Sequence, residues 1–382
     1  MAKRIPTLFG VLMLVLATAC TGVKHDPVPE TLLGSVQVEG LHNLRNWADE
    51  FSGDSEALTR YYAEAVRDHI EGNGRKLDIL TLSGGGQNGA YGAGLLNGWT
   101  ASGRRPQFEI VTGISTGAII APFAFLGSSY DPMLKEIYTT TRTQDIGKVN
   151  LAGAGLLNVS GFENLLKKYV TPQLLEAIAA ESRKGRMLLV GTTNLEAERG
   201  VIWNLSALSL SDYPGKAELF RKIIQASASI PGAFPPVQIA VNHGDQQFEE
   251  LHVDGGVTEQ VFLYPPNVTI RQLEKALGFD LEKRVFVVRN TKLNASYKPL
   301  EAGTVQIVER SLNTLIRNQG RADVQRIYDI AERDGIAFQR TSIPNAFNRK
   351  SKGFFDPQYM QPLFELGYKA GANPDGWERS RP

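Results

Sequence analysis

The sequence is poor in cysteine and histidine and has no excess of either charge. A single cysteine occurs among 382 residues, so no disulfide can form within the chain. Because 41 Lys and Arg stand against 40 Asp and Glu, nothing favours an electrostatic partner, and no nucleic acid is expected as a ligand. The composition, 42% hydrophobic and 21% charged, excludes a disordered chain, and the length suffices for one large or two ordinary packed domains.

An apolar run near the N-terminus, from Leu8 to Leu16, follows two basic residues. The run falls well short of the ~20 residues that span a bilayer as a helix, so it is typical of an export signal. The next residues, ending at Cys20, resemble the bacterial lipobox, in which the cysteine is lipidated and becomes the mature N-terminus. We therefore expect residues 1–19 to be a lipoprotein signal peptide and Cys20 to be a lipid anchor to the membrane, with ordinary cleavage after Ala-x-Ala as the alternative. Thr21 in place of an aspartate implies sorting to the outer membrane of a bacterial cell envelope.

Residues 20–55, which include several prolines and glycines, are predicted to be a tether and lead-in. Residues 56–382 are predicted to form one compact domain, in which short apolar runs bounded by glycine alternate with helical stretches. This alternation favours a three-layer α/β fold with a mainly parallel central sheet and helices on both faces. The predicted strands are Leu77–Leu82, Phe108–Thr112, Met187–Thr192 and Val285–Val288.

Two later segments have other patterns. The residues Val237–Val253, turning near His243, are predicted to form a hairpin. The segment Thr304–Gly335 has helical periodicity, and we expect one side of this helix to cover the sheet as part of a C-terminal helical cover. The apolar residues on that side include Val308, Leu312, Leu315 and Ile316.

The pentapeptide Gly113–Gly117 has the pattern G-x-S-x-G and lies between an apolar strand and an apolar helix. In that context the pattern is typical of a nucleophile elbow, a sharp turn that exposes the serine at the edge of a sheet. The positive end of the following helix would favour a developing oxyanion. Ser115 is therefore the candidate nucleophile, although the same pattern also arises by chance in glycine-rich chains.

A glycine-rich loop follows the preceding predicted strand, and two interpretations compete for it. Gly84, Gly86 and Gly89 satisfy the dinucleotide pattern G-x-G-x-x-G, which also requires an acidic residue at the end of the next strand. Glu109 is near the right distance but precedes the apolar residues of that strand. Alternatively, consecutive glycines allow backbone N–H groups to converge on an oxyanion. The nucleophile elbow after the next strand favours this second interpretation.

Asp254 is followed by two glycines at the end of a predicted strand. Taken alone, such a tripeptide is more often only a turn. Its position after the glycine loop and the serine elbow makes Asp254 the candidate general base.

Three blocks in this order resemble the patatin-like phospholipases, which have a glycine-rich oxyanion loop, a G-x-S-x-G nucleophile and a D-G-G/A catalytic aspartate. The matching residues are Gly84–Gly89, Gly113–Gly117 and Asp254–Gly256. The segment Ala226–Pro236 resembles the remaining block of the family, a proline-rich turn beside the active site. The resemblance covers about residues 76–290, and four blocks in order are much more specific than any one of them.

The resemblance implies a lipid acyl hydrolase with a patatin-like α/β fold and with no cofactor or metal ion. Asp254 would take the proton of Ser115 as the serine attacks an ester carbonyl, and a phospholipid or lysophospholipid would be the substrate. The chain departs from the family at Asn88, where an Arg or Lys is frequent, so assistance to the oxyanion by a charge there is in doubt. The expected oxyanion donors are the N–H groups of Gly84, Gly85, Gly86 and Thr116.

Three alternatives remain open. An ordinary hydrolase triad could combine Ser115 and Asp212 with either His243 or His252, because only these two histidines follow the serine. His252 and its neighbours could instead bind a metal, although the spacing of His243, Glu249, His252 and Asp254 fits no common site. The third alternative is a lipid-binding envelope lipoprotein that has lost turnover.

Overall fold

The computed structural model describes residues 23–42, 44–51, 55–148, 157–295, 297, 299 and 303–382. The predicted signal peptide, residues 1–19, and the predicted lipidation site, Cys20, lie outside these residues. Nowhere in the described residues is there a helix both long enough and apolar enough to cross a membrane.

A nine-stranded mixed sheet forms the centre of the described structure. Its strands, in chain order, are β1 Arg45–Trp47, β2 Lys76–Leu82, β3 Ile110–Ile114, β4 Met187–Asn194, β5 Arg199–Asn204, β6 Val237–His243, β7 Gln246–Asp254, β8 Glu282–Arg289 and β9 Ala337–Ser342. The main path has the order β1-β5-β4-β3-β2-β8-β9, while β6 and β7 branch from β4. The pairs β2–β3, β3–β4, β2–β8 and β8–β9 are parallel. The predicted, mainly parallel sheet is therefore confirmed, with antiparallel additions at β1, β5, β6 and β7.

Helices cover both faces of this sheet. In chain order they are α1 Ser55–Gly72, α2 Gly89–Ala101, α3 Thr116–Leu126, α4 Asp131–Thr140, α5 Thr143–Ile146, α6 Ser160–Tyr169, α7 Pro172–Ser182, α8 Leu205–Leu210, α9 Lys216–Ser227, α10 Ile270–Leu277, α11 Thr304–Asp334 and α12 Pro357–Ala372. Side chains alternate across a strand, and β2 accordingly sends Leu80 and Leu82 into one apolar core and Leu77 and Ile79 into another. The first core contains residues of α2, α3, α6, α9 and α12, and the second contains residues of α1, α10 and α11.

The predicted strand Phe108–Thr112 begins two residues later in the structure, at Ile110. Phe108 is buried in the core, so its apolar character is explained by packing. The ladder with β2 starts only at the pair Ile79 and Ile110. The apolar pattern therefore located the strand but not its first residue.

The predicted tether and lead-in, residues 20–55, is corrected by the structure over its described part. Strand β1 pairs antiparallel with β5, and the backbones of Gln37 and Asn242 pair with each other on the hairpin β6–β7. The apolar residues of this segment are buried in the main core, where they include Val28, Val36, Val38, Leu41 and Leu44. The described residues between Val28 and Trp47 are therefore part of the packed domain.

The long helix α11 covers the sheet only with its second half. Val324, Ile327 and Ile330 are buried in the core that lies beneath it. The apolar residues predicted to cover the sheet lie in the first half and are exposed, with Val308 at 53%, Leu312 at 54%, Leu315 at 65% and Ile316 at 41%. Helical periodicity identifies which side of a helix is apolar, but it does not tell where the sheet beneath ends. The prediction that Val308, Leu312, Leu315 and Ile316 cover the sheet was therefore wrong.

Helices α2 and α12 are in backbone contact through glycines. A Cβ atom on Gly94 would lie 2.0 Å from the carbonyl oxygen of Phe364, and one on Gly367 would lie 2.0 Å from that of Tyr91. Gly98 and Gly371 are equally close to the opposite helix. Only hydrogen fits at these positions, so the two helices pack more closely than side chains would allow.

Candidate active site

Ser115 lies at the turn between β3 and α3, as the sequence predicts. Its backbone has φ of 55° and ψ of −122°. Residues other than glycine rarely adopt this conformation, and it carries strain. The flanking glycines permit the turn, because a Cβ on Gly117 would lie 2.2 Å from the carbonyl oxygen of Leu82. The side chain of Ser115 is consequently held at the carboxyl edge of the parallel strands, where ligands of α/β sheets bind.

The glycine loop, Ser83–Gly86, leaves β2 next to the elbow, since Leu82 pairs with Gly113 in the sheet. A Cβ on Gly84 would lie 3.2 Å from the Cβ of Ser115, so the loop passes directly beside the candidate nucleophile. Gly86 has a φ of 56°, which favours glycine. The N–H of Gly84 donates to the carbonyl oxygen of Gln260 at 3.0 Å.

This hydrogen bond corrects the expectation that Gly84 supplies an oxyanion donor, because its N–H is already used. In contrast, no acceptor within the described part of the chain takes a hydrogen bond from the N–H of Gly85, Gly86 or Thr116. These three groups are free to bind a developing negative charge near Ser115. Asn88 instead accepts a hydrogen bond on its side-chain oxygen from the Tyr359 hydroxyl at 2.7 Å.

Asp254 reaches Ser115 because two strands share one edge of β4. Strand β3 pairs with β4 as far as Gly191, and β7 pairs with the next residues, beginning with Thr192 opposite Asp254. The end of β7 therefore meets the end of β3, and Ser115 follows β3 directly. A Cβ on Gly255 would lie 2.5 Å from the carbonyl oxygen of Gly191, so the glycine after Asp254 allows this close junction.

The carboxyl group of Asp254 accepts a hydrogen bond from the N–H of Gly256 at 2.7 Å, and the Ser115 hydroxyl lies close enough to lower the pKa of this carboxyl. Asp254 is only 6% exposed. Burial penalises the charged carboxylate and raises the pKa of Asp254 to about 6, although the Ser115 hydroxyl and the N–H of Gly256 act in the opposite direction. A carboxyl with this pKa is a stronger base than a free aspartate, and at neutral pH it is ionised and ready to accept a proton.

Two serines of the Ala226–Pro236 block tie both candidate residues to the fold. The hydroxyl oxygen of Ser227 accepts a hydrogen bond from the N–H of Ser115 at 3.0 Å and donates to the carbonyl oxygen of Gly191 at 2.6 Å. The carbonyl oxygen of Ser229 accepts from the N–H of Asp254 at 3.0 Å. The sequence placed this block beside the site but did not identify these two serines.

Asn290, directly after β8, was not predicted from the sequence. Its side chain donates to the carbonyl oxygen of Ser83 at 2.9 Å and accepts from the N–H of Gly92 at 3.1 Å, while its own N–H donates to the Ser83 hydroxyl at 2.8 Å. Asn290 is fully buried, and a Cβ on Gly85 would lie 2.4 Å from its carbonyl oxygen. Asn290 therefore fixes the start of the glycine loop and ties it to α2, the helix that follows the loop. A buried amide after an apolar strand is the only sequence signal, and it is too common to be specific.

The histidine alternatives do not assemble around Ser115. The Nδ1 of His252 lies 2.9 Å from the Thr192 hydroxyl and its Nε2 lies 3.0 Å from Glu250, so both ring nitrogens have partners other than Ser115. Burial lowers the pKa of His252. His243 lies at the hairpin tip, six residues along β6 from the partner of His252, roughly 20 Å at ~3.3 Å per residue. Asp212 is exposed between α8 and α9.

The dinucleotide and metal alternatives find no geometric support either. Glu109 lies at the start of β3, away from the glycine loop, where its carboxylate accepts from the N–H of Asp78 at 2.6 Å and from the Asn73 side chain at 2.8 Å. Over the described ranges, no group of three or more His, Cys, Asp or Glu side chains is placed to hold a metal ion.

A match to a protein-family model includes the glycine loop, the Ser115 elbow and the Asp254 turn. Residues 80–265 match the model of the family described as patatin-like phospholipase. The crystal structure of VipD from Legionella pneumophila is similar over 77% of this chain and 66% of that chain, with 12% identity and a TM-score of 0.40; the match thus spans just under two thirds of VipD. No curated protein matches the sequence. Residues 80–265, just under half of the chain, are therefore similar to a patatin-like phospholipase domain.

Proposed function

We propose that the protein cleaves carboxylic esters of lipids through a Ser115–Asp254 dyad and an acyl-enzyme. The observation that carries the proposal is the position of the buried Asp254 carboxyl beside Ser115, where the ends of β7 and β3 meet on β4, next to three unused backbone N–H groups. Both histidines that follow the serine are engaged or distant, which supports a mechanism without histidine.

In the first half-reaction, the Ser115 hydroxyl oxygen attacks the ester carbonyl carbon while Asp254 accepts the hydroxyl proton. The N–H groups of Gly85, Gly86 and Thr116 stabilise the oxyanion of the tetrahedral intermediate. The bond from the carbonyl carbon to the alcohol oxygen then breaks, and Asp254 returns its proton to the leaving alcohol. In the second half-reaction, water attacks the acyl-enzyme by the same proton transfers and releases the carboxylic acid.

A fluorophosphonate probe tests the nucleophile directly, because it labels activated serines. We expect one label on the wild-type protein, mapped to Ser115 by peptide mass spectrometry, and none on Ser115→Ala. The absence of both labelling and ester hydrolysis would refute the proposal and favour a lipid-binding protein without turnover.

The absence of histidine from the mechanism has its own test. We expect Asp254→Asn to lose nearly all turnover. The His252→Gln protein that is folded should keep the turnover of the wild type. A His252→Gln variant that is folded and as inactive as Asp254→Asn would refute the dyad. Turnover of a panel of phospholipids and lysophospholipids then identifies the preferred head group.

We also propose that the mature chain is anchored in the bacterial outer membrane through a lipidated Cys20. The lipobox-like residues before Cys20 and Thr21 after it support this proposal. Mass spectrometry of the mature N-terminus is the test: an unmodified Cys20 would refute the anchor and leave the hydrolase proposal intact.

A further inference from the structure

Two segments next to the candidate base carry exposed apolar side chains. Ile230 is exposed and follows Ser229, whose carbonyl oxygen accepts a hydrogen bond from the N–H of Asp254 at 3.0 Å. Val257 is also exposed, and it ends the short turn that begins directly after Asp254. Removing apolar side chains from water is favourable, so a partner that binds at this edge of the sheet would gain free energy by covering them.

The first half of α11 continues this exposed apolar surface. Four of its exposed residues, here called the apolar stripe, are Val308, Leu312, Leu315 and Ile316. Because of the helical spacing, the stripe shares one face of the helix with Gln319. The side chain of Gln319 donates to the carbonyl oxygens of Val257 and Thr258, at 3.3 and 2.5 Å. The stripe therefore starts beside the Asp254 turn and extends along the helix for about 16 Å, at ~1.5 Å per residue.

A basic loop, residues 349–355, lies beside the glycine loop and exposes another large apolar side chain, that of Phe354. The carbonyl oxygen of Gly353 accepts a hydrogen bond from the side chain of Gln87 at 3.0 Å, and the Ser351 hydroxyl donates to the same side chain at 3.1 Å. Gln87 follows the glycine loop directly. The sequence of the basic loop contains no acidic residue, and its exposed cations are Arg349, Lys350 and Lys352.

Two further cations lie close to the basic loop. Lys292 donates to the carbonyl oxygen of Asn345 at 3.1 Å and to the side chain of Asn348 at 3.2 Å, and Asn348 immediately precedes the loop. Burial lowers the pKa of Lys292, and the positive charge of Arg317 on α11 lowers it further, so these two cations are near each other. Like charges repel, and an anion bound here would therefore relieve repulsion among cations from three segments of the chain.

A bilayer of anionic lipids satisfies both kinds of exposed group, because it offers hydrocarbon to apolar side chains and phosphate to cations. Helices that lie in a membrane interface carry apolar residues on one side and basic residues on the other. The first half of α11 has this distribution, since Arg310, Arg317 and Arg321 are spaced to lie opposite the stripe. A purely apolar partner would leave the cations without counter-charges, and a soluble anion would leave the apolar side chains in water.

We propose that this edge of the sheet is the docking face for an anionic lipid bilayer. The apolar stripe, Val257 and Phe354 enter the boundary between head groups and hydrocarbon, while the basic loop, Lys292 and Arg317 bind lipid phosphates. The proposal rests on the proposed function and adds to it the way in which Ser115 reaches esters that stay within a bilayer. It also gives a role to α11, which lies outside the part of the chain that the family model matches.

The single cysteine of the chain permits a direct test with an environment-sensitive fluorophore. The background is Cys20→Ser with Ser115→Ala, so that neither a lipid anchor nor turnover contributes, and one cysteine at a time is introduced and labelled. Leu315→Cys reports on the stripe and Phe354→Cys on the basic loop. The matched control is Leu210→Cys, another exposed leucine. It ends α8, the helix that follows β5, and the end of β5 pairs near the start of β4 at the opposite edge of the sheet.

With vesicles of phosphatidylglycerol and phosphatidylethanolamine, we expect the fluorescence at positions 315 and 354 to increase and shift to the blue, while that at 210 stays unchanged. Vesicles of phosphatidylcholine alone should give a weaker response. Replacing Lys350 and Lys352 by alanine should raise the lipid concentration at half-maximal signal by about 25-fold, since each cation near an anionic surface contributes about fivefold.

No response at positions 315 and 354, or an equal response at 210, would overturn the docking face. A signal at 315 that grows with protein concentration in the absence of lipid would also overturn it, because a second copy of the chain would then cover the stripe.

Hydrolysis of the soluble ester p-nitrophenyl butyrate separates failure of the docking face from failure of the proposed function. In the Cys20→Ser chain with Ser115 intact, adding Leu312→Asn and Leu315→Asn should leave kcat/KM for this ester unchanged. The rate on phosphatidylglycerol vesicles below saturation should fall by at least about tenfold, because two apolar side chains no longer enter the bilayer. If neither substrate is hydrolysed but the labels respond to vesicles, the proposed function fails and the docking face stands. If both substrates are hydrolysed as fast with the two asparagines as without them, the docking face fails and the proposed function stands.

Discussion

Replacing Asp254 by asparagine should strongly reduce catalysis and at the same time stabilise the fold at neutral pH. Burial raises the pKa of Asp254 from 3.8 to about 6, so the folded protein holds this proton more tightly than the unfolded chain does. The stabilisation from the bound proton is complete below pH 4 and is lost as pH rises through 6. At 1.36 kcal/mol per pKa unit, the ionised carboxylate costs the wild-type protein about 3 kcal/mol at pH 7.

The amide of Asp254→Asn has nearly the shape of the carboxyl group and does not ionise. Its oxygen can still accept from the N–H of Gly256, which now lies 2.7 Å from the carboxylate. Urea unfolding of both proteins between pH 4 and pH 8 gives the difference in free energy of unfolding, in which the other titrating groups cancel. We expect the two proteins to be about equally stable at pH 4 and the variant to be more stable by up to about 3 kcal/mol above pH 7.

The activity of the wild-type protein supplies an independent reading of the same group. A general base contributes about 10²–10⁴-fold to the rate, so kcat/KM of Asp254→Asn should fall by about that factor. Wild-type kcat/KM should decrease about tenfold per pH unit below pH 6. A stability difference that does not change with pH, or a variant less stable than the wild type at pH 7, would refute the conclusion that burial destabilises the ionised carboxylate of Asp254.

Three further substitutions test contacts that position the site or stabilise the fold. Asn290→Ala removes two side-chain hydrogen bonds that hold the glycine loop. We expect kcat to fall by about 10²-fold with KM little changed, because oxyanion donors that are misplaced stabilise the transition state less. A rise in KM with kcat unchanged would contradict this role. Arg45→Met leaves the buried Glu250 without the arginine that pairs with it, and urea unfolding should show a loss of about 3–5 kcal/mol; a change within 1 kcal/mol would refute the buried pair. Gly367→Ala should destabilise by about 3 kcal/mol because its Cβ would meet the carbonyl oxygen of Tyr91 at 2.0 Å, whereas Gly72→Ala, whose Cβ meets nothing within 4 Å, is the neutral control in thermal unfolding.

The pieces of the site that depend on a local turn were predictable from the sequence. The glycine loop, the elbow at Ser115 and the Asp254 turn each follow a strand directly, and each is marked by closely spaced glycines. Parallel strands bring such turns to one edge of a sheet, which explains why the three blocks meet.

What joins the blocks was not predictable, because it depends on contacts between residues far apart in the chain. Asp254 lies beside Ser115 because β3 and β7 pair with consecutive residues along the same edge of β4. Periodicity within β7 carries no information on that partner. The roles of Ser227 and Asn290 likewise depend on the backbone groups that they meet, and the same residue types are frequent elsewhere in the chain.

The pairing of β2 with β8 has a consequence for how much of the chain folds as a unit. Seven residues of β2, from Lys76 to Leu82, form a parallel ladder with β8, which lies beyond the matched residues 80–265. A fragment that ends at residue 265 would turn β2, a central strand, into an open edge with unpaired backbone groups. It would also lose α12, whose backbone is in contact with α2. The smallest piece that can carry the activity is thus considerably longer than the family domain, and a domain cut at its sequence boundary is expected to aggregate instead of folding.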